Sequence, residues 1–206
     1  MAFNDTINTG ITPNDGQGDG LRTNIRKLHD NTKDNKQRLD DLNGNTPGVV
    51  SSNGISVLTP LDATFSLNGQ QTGAIKIVLP PTVNDSMLKM SVELYYYGVD
   101  KSVTLNISGY NNNVISTWIA TSVQTIASNS SRNYTVRFGY TGTNFCIYIA
   151  ELNSIWQYPQ VAITNFFVGF GGITPANWLT GWNISLETSI FHNITKTHTN
   201  NLPVAQ

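Results

Sequence analysis

Between Ala63 and Ile149 apolar residues recur at every second position, and no other feature restricts the fold as much. Ala63, Phe65 and Leu67 alternate with Asp62, Thr64 and Ser66. Ile75, Ile77 and Leu79 alternate up to the stop at Pro80-Pro81. Leu88, Met90, Val92, Leu94 and Tyr96 interleave with Lys89, Ser91, Glu93 and Tyr95. Val103, Leu105 and Ile107 follow a hairpin-sized turn at 98–101. Tyr134, Val136, Phe138 and Tyr140 then lead through Thr141-Gly142 into Phe145, Ile147 and Ile149. Side chains of a strand point alternately to its two faces, so this period marks antiparallel strands packed on one face. The spacing predicts about eight to ten strands of roughly 5–8 residues in a β-sandwich, jelly-roll-like in outline. No helical pattern recurs after residue 45, which argues against an α/β enzyme. Phe166 to Gly172 is too apolar for an exposed loop; it reads as a buried strand and bend, or as a contact between heads. Trp182, Ile184 and Leu186 form a final strand, and the tail from Thr195 is expected to fray or to wrap over a neighbour.

Composition agrees with short strands and tight turns. Charged residues make up only 12% of the 206, about half the usual share, and Asn, Thr, Ser and Gly take their place. A net charge of −1 offers no field that would draw the chain to nucleic acid or to an acidic membrane. No apolar stretch approaches the ~20 residues that cross a bilayer, so no membrane insertion is expected. Met1-Ala2-Phe3-Asn4-Asp5 has neither a basic region nor an apolar run, which points to synthesis and assembly in a cytoplasm. The single cysteine, Cys146, lies in a strand-like run and reads as a buried thiol. Without a leader, the Asn-x-Ser/Thr triplets, such as Asn106-Ile107-Ser108, carry no weight as glycosylation sites.

A second period precedes the strands. Residues 1–20 are mostly Gly, Asn, Asp, Thr and Pro and read as an irregular arm. From Leu21 to Leu42 there is neither Pro nor Gly, with Asp19 placed to cap the start of a helix and Gly44 and Pro47 to end it. Leu21, Ile25, Leu28, Thr32, Asn35, Leu39 and Leu42 are spaced alternately by four and three, a heptad seam running through a rod of ~33 Å. The flanking positions are Arg, Lys, His, Asn and Asp, so the seam is narrow and wet-sided. That favours self-association over packing on the chain's own domain, and over a basic nucleic-acid helix, for which no aromatic is interleaved. Thr32 and Asn35 weaken the seam's middle, so the heads are expected to associate as well. The reading is an arm at 1–20, a coiled-coil stalk at 21–43, a linker at 44–54 and a β-sandwich head at 55–206.

Ile11-Thr12-Pro13-Asn14-Asp15-Gly16-Gln17-Gly18-Asp19-Gly20-Leu21-Arg22-Thr23-Asn24-Ile25-Arg26-Lys27-Leu28-His29-Asp30-Asn31 resembles a short module of tailed-phage appendage and virion proteins, approximately Pro-Asn-Asp-Gly-x-Gly-Asp-x-Leu-Arg. It covers about a tenth of the chain. Asn24-Ile25 stands where the module has Ala-Phe, and Leu28-His29 replaces an Asn-rich pair. The segment Trp156 to Ile163, followed by Trp178-Leu179-Thr180-Gly181-Trp182, is similar to distal domains of some phage fibres. The resemblance implies a structural protein attached to the virion by its N-terminus, with an outward-facing head. The heptads alone do not settle two strands versus three, and a homotrimer, held by stalk and heads together, is expected. Asn14, Asp15, Gly16, Gly18, Asp19 and Arg22 would dock on other virion proteins, and the head would face a host-surface glycan or protein. A head fibre or decoration protein without a receptor role, and a glycan-degrading fibre, are the alternatives.

Catalytic and metal signatures are missing from the sequence, and no cofactor is expected. Counting twelve positions from Asp15 arrives at Arg26, where an EF-hand needs a bidentate Glu. The glycines at 16, 18 and 20 lack the Lys-Ser/Thr of a phosphate loop. His29, His192 and His198 have no zinc spacing, and there is no Gly-x-Ser-x-Gly elbow. Six scattered head carboxylates (Asp62, Asp85, Glu93, Asp100, Glu151, Glu187) read as surface and turn residues, although two of them facing each other would suffice for a glycosidase. Of the large aromatics, Trp182 reads as core and Trp118 is open to either reading. Trp178, beside Pro175-Ala176-Asn177, is the candidate exposed platform, and with Asn177, Thr180 and Tyr158 it makes the expected receptor-binding loop.

Overall fold

The computed structural model describes residues 20–44, 49–52, 55–81, 83–99, 101–127, 132, 134–169 and 175–199. The chain divides into two compact units, Met1–Pro47 and Gly48–Gln206. The first contains a helix, α1 (Leu21–Gly44), whose first turn opens on the Gly20 carbonyl, which accepts from the N–H groups of Thr23 and Asn24. In this single chain the seam residues Ile25 and Leu28 are 56% and 55% exposed. Thr32, which is also exposed, turns its hydroxyl back to the Leu28 carbonyl at 2.8 Å, and Asn35 is exposed. The seam side chains of Leu21, Leu39 and Leu42, like the docking residues Asn14, Asp15, Gly16, Gly18, Asp19 and the side chain of Arg22, lie outside the described residues.

The second unit is mainly β. Its described residues form β1 (Val49–Ser52), β2 (Ile55–Leu58), β3 (Thr64–Ser66), β4 (Gln70–Thr72), β5 (Ala74–Val78), β6 (Ser86–Tyr95), β7 (Ser102–Asn112), β8 (Thr117–Ala127), β9 (Val136–Tyr140), β10 (Phe145–Ile149), β11 (Ile155–Gln157), β12 (Gln160–Gly169), β13 (Asn183–Glu187) and β14 (Lys196–His198). One 3₁₀ turn, Pro175–Trp178, is the only helical piece among them. A seven-stranded sheet runs β1-β2-β12-β6-β7-β8, with β3 also on β12. A five-stranded sheet runs β13-β5-β10-β9-β14, and β4 pairs with β11 between the two. All pairings are antiparallel. Inward residues of both sheets meet in one core, Met90, Val92, Leu105, Ile107 and Ile163 from the first against Ile75, Ile77, Phe138 and Ile147 from the second. That is a sandwich-like architecture. One ribbon ties the sheets together. Residues 55–78 run antiparallel to 145–169, through Leu58↔Phe166, Phe65↔Val161, Gln71↔Trp156 and Ile77↔Ile147.

Several expectations change here. The stretch read as a 44–54 linker contains β1, because Val49-Val50 pairs with Val57-Leu58 of β2. The final strand is β14, not β13. The tail does not fray at Thr195, since Lys196, Thr197 and His198 pair with β9 and the Thr121 hydroxyl is 2.9 Å from His198 Nε2. β10 is buried on both faces rather than alternating. Residues 189–195 cover its outer side, where Phe191 packs on Tyr148 at 5.1 Å and His192 N–H donates to the Tyr148 hydroxyl. In β12 a bulge between Thr164 and Phe167, with Asn165 at φ 50°, inverts the alternation. Val161 and Ile163 point inward before it, and Phe166 and Val168 after it. That is why two phenylalanines stand side by side: Phe166 is core and Phe167 faces outward.

Candidate functional site

The four tryptophans of the head are all buried. Trp118 donates its indole N–H to Gly139 O at 3.0 Å and packs on Phe138 and Phe145. Gly109 makes room for it, since a Cβ there would stand 3.0 Å from the ring. Trp156 donates to Gly73 O at 2.7 Å, under the Tyr96 ring and the Arg132 guanidinium. Trp182 is core, as read from the sequence, and donates to Trp178 O at 2.7 Å. Trp178 is 3% exposed and lies edge-on to Phe166, so it is not the expected platform. The Pro-Ala-Asn stretch before it does make a turn, but the ring folds under the turn onto residues distant in sequence. Asn177 and Thr180 are exposed beside it. Tyr158 is 51% exposed but sits before the other end of β12, roughly 20 Å or more from Phe166 along the strand. The expected four-residue site therefore does not come together.

Another site does. Outward residues of the seven-stranded sheet line up across its strands in rows. One row is Ser66, Gln160, Tyr95 and Ser102. The next is Thr64, Ala162, Glu93 and Thr104. Small side chains surround the larger Tyr95, Glu93 and Gln160, and the result is an open groove of about 570 Å³ over β3, β12, β6 and β7. Tyr95 is 47% exposed on its wall. Thr104 donates its hydroxyl to Glu93 Oε2 at 2.7 Å and fixes that carboxylate, while Oε1 has no partner among the described residues. The Gln160 amide and the Ser66, Ser102 and Thr64 hydroxyls are likewise uncommitted. Beyond the groove's end, Tyr97 and Tyr158 meet edge to face at 6.0 Å. Tyr97 N–H donates to Gln157 O, and Tyr158, at φ 48°, donates to Gly69 O. Sequence reading singled out the tryptophans and passed over this groove, although the outward series Glu93, Tyr95 along β6 was its visible trace.

The remaining described head carboxylates each have their own partner. Asp62 accepts from Gly181 N–H, Asp85 from Asn113 N–H, and both oxygens of Glu151 accept from the one nitrogen Nη2 of Arg137, at 2.7 and 2.8 Å. Glu187 accepts from Ser189 and from Lys76 at 3.1 Å. Its pKa falls from the usual 4.5 to about 2, chiefly through the Ser189 hydroxyl, against the opposing effect of burial. None of these bonds puts two carboxylates on one partner. Among the described residues no three of His, Cys, Asp and Glu are grouped to hold a metal, and no helix is long and apolar enough to cross a membrane. Comparison with family models, curated proteins and solved structures returns no match to this chain.

Proposed function

We propose that this chain is a structural fibre subunit of a tailed-phage virion. Residues 1–20 hold the particle, α1 joins three copies, and a jelly-roll-like head takes a host-surface glycan in the groove of Tyr95, Glu93 and Gln160. The groove carries this reading. Sugars present apolar C–H faces that stack on aromatic rings, and hydroxyls that need in-plane donors and acceptors. A half-exposed tyrosine beside a carboxylate oxygen, an amide and three hydroxyls, all uncommitted, supplies both. Among the described residues that line it the groove has one carboxylate, which suits retention of a glycan rather than its hydrolysis, a reaction that uses two. The arm's resemblance to the virion module supports the anchor. Ile25 and Leu28, more than half exposed at heptad spacing, support the self-associating stalk.

Adsorption tests the reading. Fluorescently labelled chain should bind host cells, and Tyr95→Ala should weaken binding severalfold per site while leaving the melting temperature nearly unchanged. Three linked copies would enlarge that loss through avidity. Equal binding by wild type and Tyr95→Ala would remove the groove from the reading.

A further inference from the structure

The groove's charge is one-sided. Among the described residues that line it, Glu93 is the only ionisable one besides Tyr95, and no Lys, Arg or His joins them. Neither of the nearest described lysines in the chain lines the groove. Lys101 precedes Ser102 in the chain, but its ammonium lies 5.8 Å from the ring centre of Tyr96, a buried residue just after β6. Lys89 is four residues along β6 from Glu93, ~13 Å away. Glu93 is also held rather than free to swing aside. Thr104 stands opposite it in the register and holds Oε2, which leaves Oε1 without a partner among the described residues of the groove. A fixed, unpaired carboxylate next to the stacking ring accepts from hydroxyls and from ammonium groups, and repels another carboxylate.

From this, and resting on the reading of the groove as a saccharide site, we infer that Glu93 selects the glycan by charge. Neutral and amino-bearing saccharides enter, and acidic ones, whose uronate or sialate groups would face Oε1, are rejected. Selection here resides in a repulsive element as much as in an attractive one.

Isothermal titration of the full chain with three oligosaccharides of equal length tests this: a neutral gluco-oligomer, a glucosamine oligomer with free amines, and an oligogalacturonate. The first two should bind, and the oligogalacturonate should bind about tenfold more weakly or worse. Glu93→Gln keeps an acceptor for Thr104 while removing the charge. It should narrow the gap between oligogalacturonate and the neutral oligomer by about tenfold, and should cost the glucosamine oligomer its advantage. Oligogalacturonate binding as tight as the neutral oligomer, or a ratio unmoved by Glu93→Gln, overturns the inference and leaves the saccharide site standing. Failure of all three to bind wild type overturns the site itself, and the inference with it.

Discussion

The bulge in β12 assigns opposite fates to two adjacent phenylalanines, and that can be measured. Phe166 is fully buried, 5.0 Å from Trp182 and 5.8 Å from Trp178 in edge-on contacts. Truncating it removes a whole side chain from an enclosed site and both ring contacts, a loss of about 3–5 kcal/mol. For a head of this size, with roughly 2–4 °C per kcal/mol, the melting temperature should fall by about 10 °C. Phe167 is 40% exposed on the outer face, so Phe167→Ala opens no enclosed cavity and should cost about 1 kcal/mol. Urea unfolding followed by tryptophan fluorescence suits the comparison, because Trp178 and Trp182 report on the same contacts. Phe166→Leu keeps most of the apolar volume and supplies a midpoint if the alanine variant does not fold. Equal losses at the two positions, or a larger loss at Phe167, would refute the inverted register.

Three further outcomes follow from named groups. Leu28→Asp should shift the solution mass of the full chain from three copies toward one, whereas Lys33→Ala should not, and a wild-type monomer at micromolar concentration would remove the trimeric stalk. Burial pushes the Cys146 thiol up to about 11, so the folded chain should resist a thiol reagent at pH 8 and react once denatured; fast labelling of the native chain would contradict its burial. The folded-state pKa of Glu187 is depressed, so its contribution to stability is present above the usual 4.5 and disappears as pH falls from there toward about 2. Glu187→Gln should flatten that part of the stability–pH curve, and an unchanged slope would show that other carboxylates dominate it.

The legible parts of the fold are those where one face of a strand is buried throughout. β6 and β7 alternate throughout and are readable from Met90 and Leu105, while in β5 and β9 the inward Ile75, Ile77, Val136 and Phe138 keep the period beside one extra buried small residue, Ala74 or Gly139. The period fails where tertiary structure changes a strand's surroundings. β10 is apolar at every position because residues 189–195 cover its outer side, a contact made from some 44 residues away at His192 and Tyr148. β12 and β8 change parity at Asn165 and Ala120, both at positive φ, which no local pattern signals. β4 and β11 are three-residue strands, below the length at which a period shows. The site was harder still. Ser66, Glu93, Tyr95, Ser102 and Gln160 become neighbours only through register, and each alone is an ordinary outward residue. Trp178 misled because its neighbours signal a turn correctly but say nothing about where the ring goes.

The central claim is that this chain is part of a particle. If the proposal holds, the gene lies in a phage genome, and electron microscopy of the particles that genome produces, labelled with antibody against residues 48–206, is the test. Label is expected on intact particles at the free ends of projecting appendages. It is also expected to disappear when residues 1–20 are deleted, even though the truncated chain still accumulates folded and soluble. Complete, infectious particles without label, with the full-length chain recovered only in the unassembled fraction, would contradict the claim.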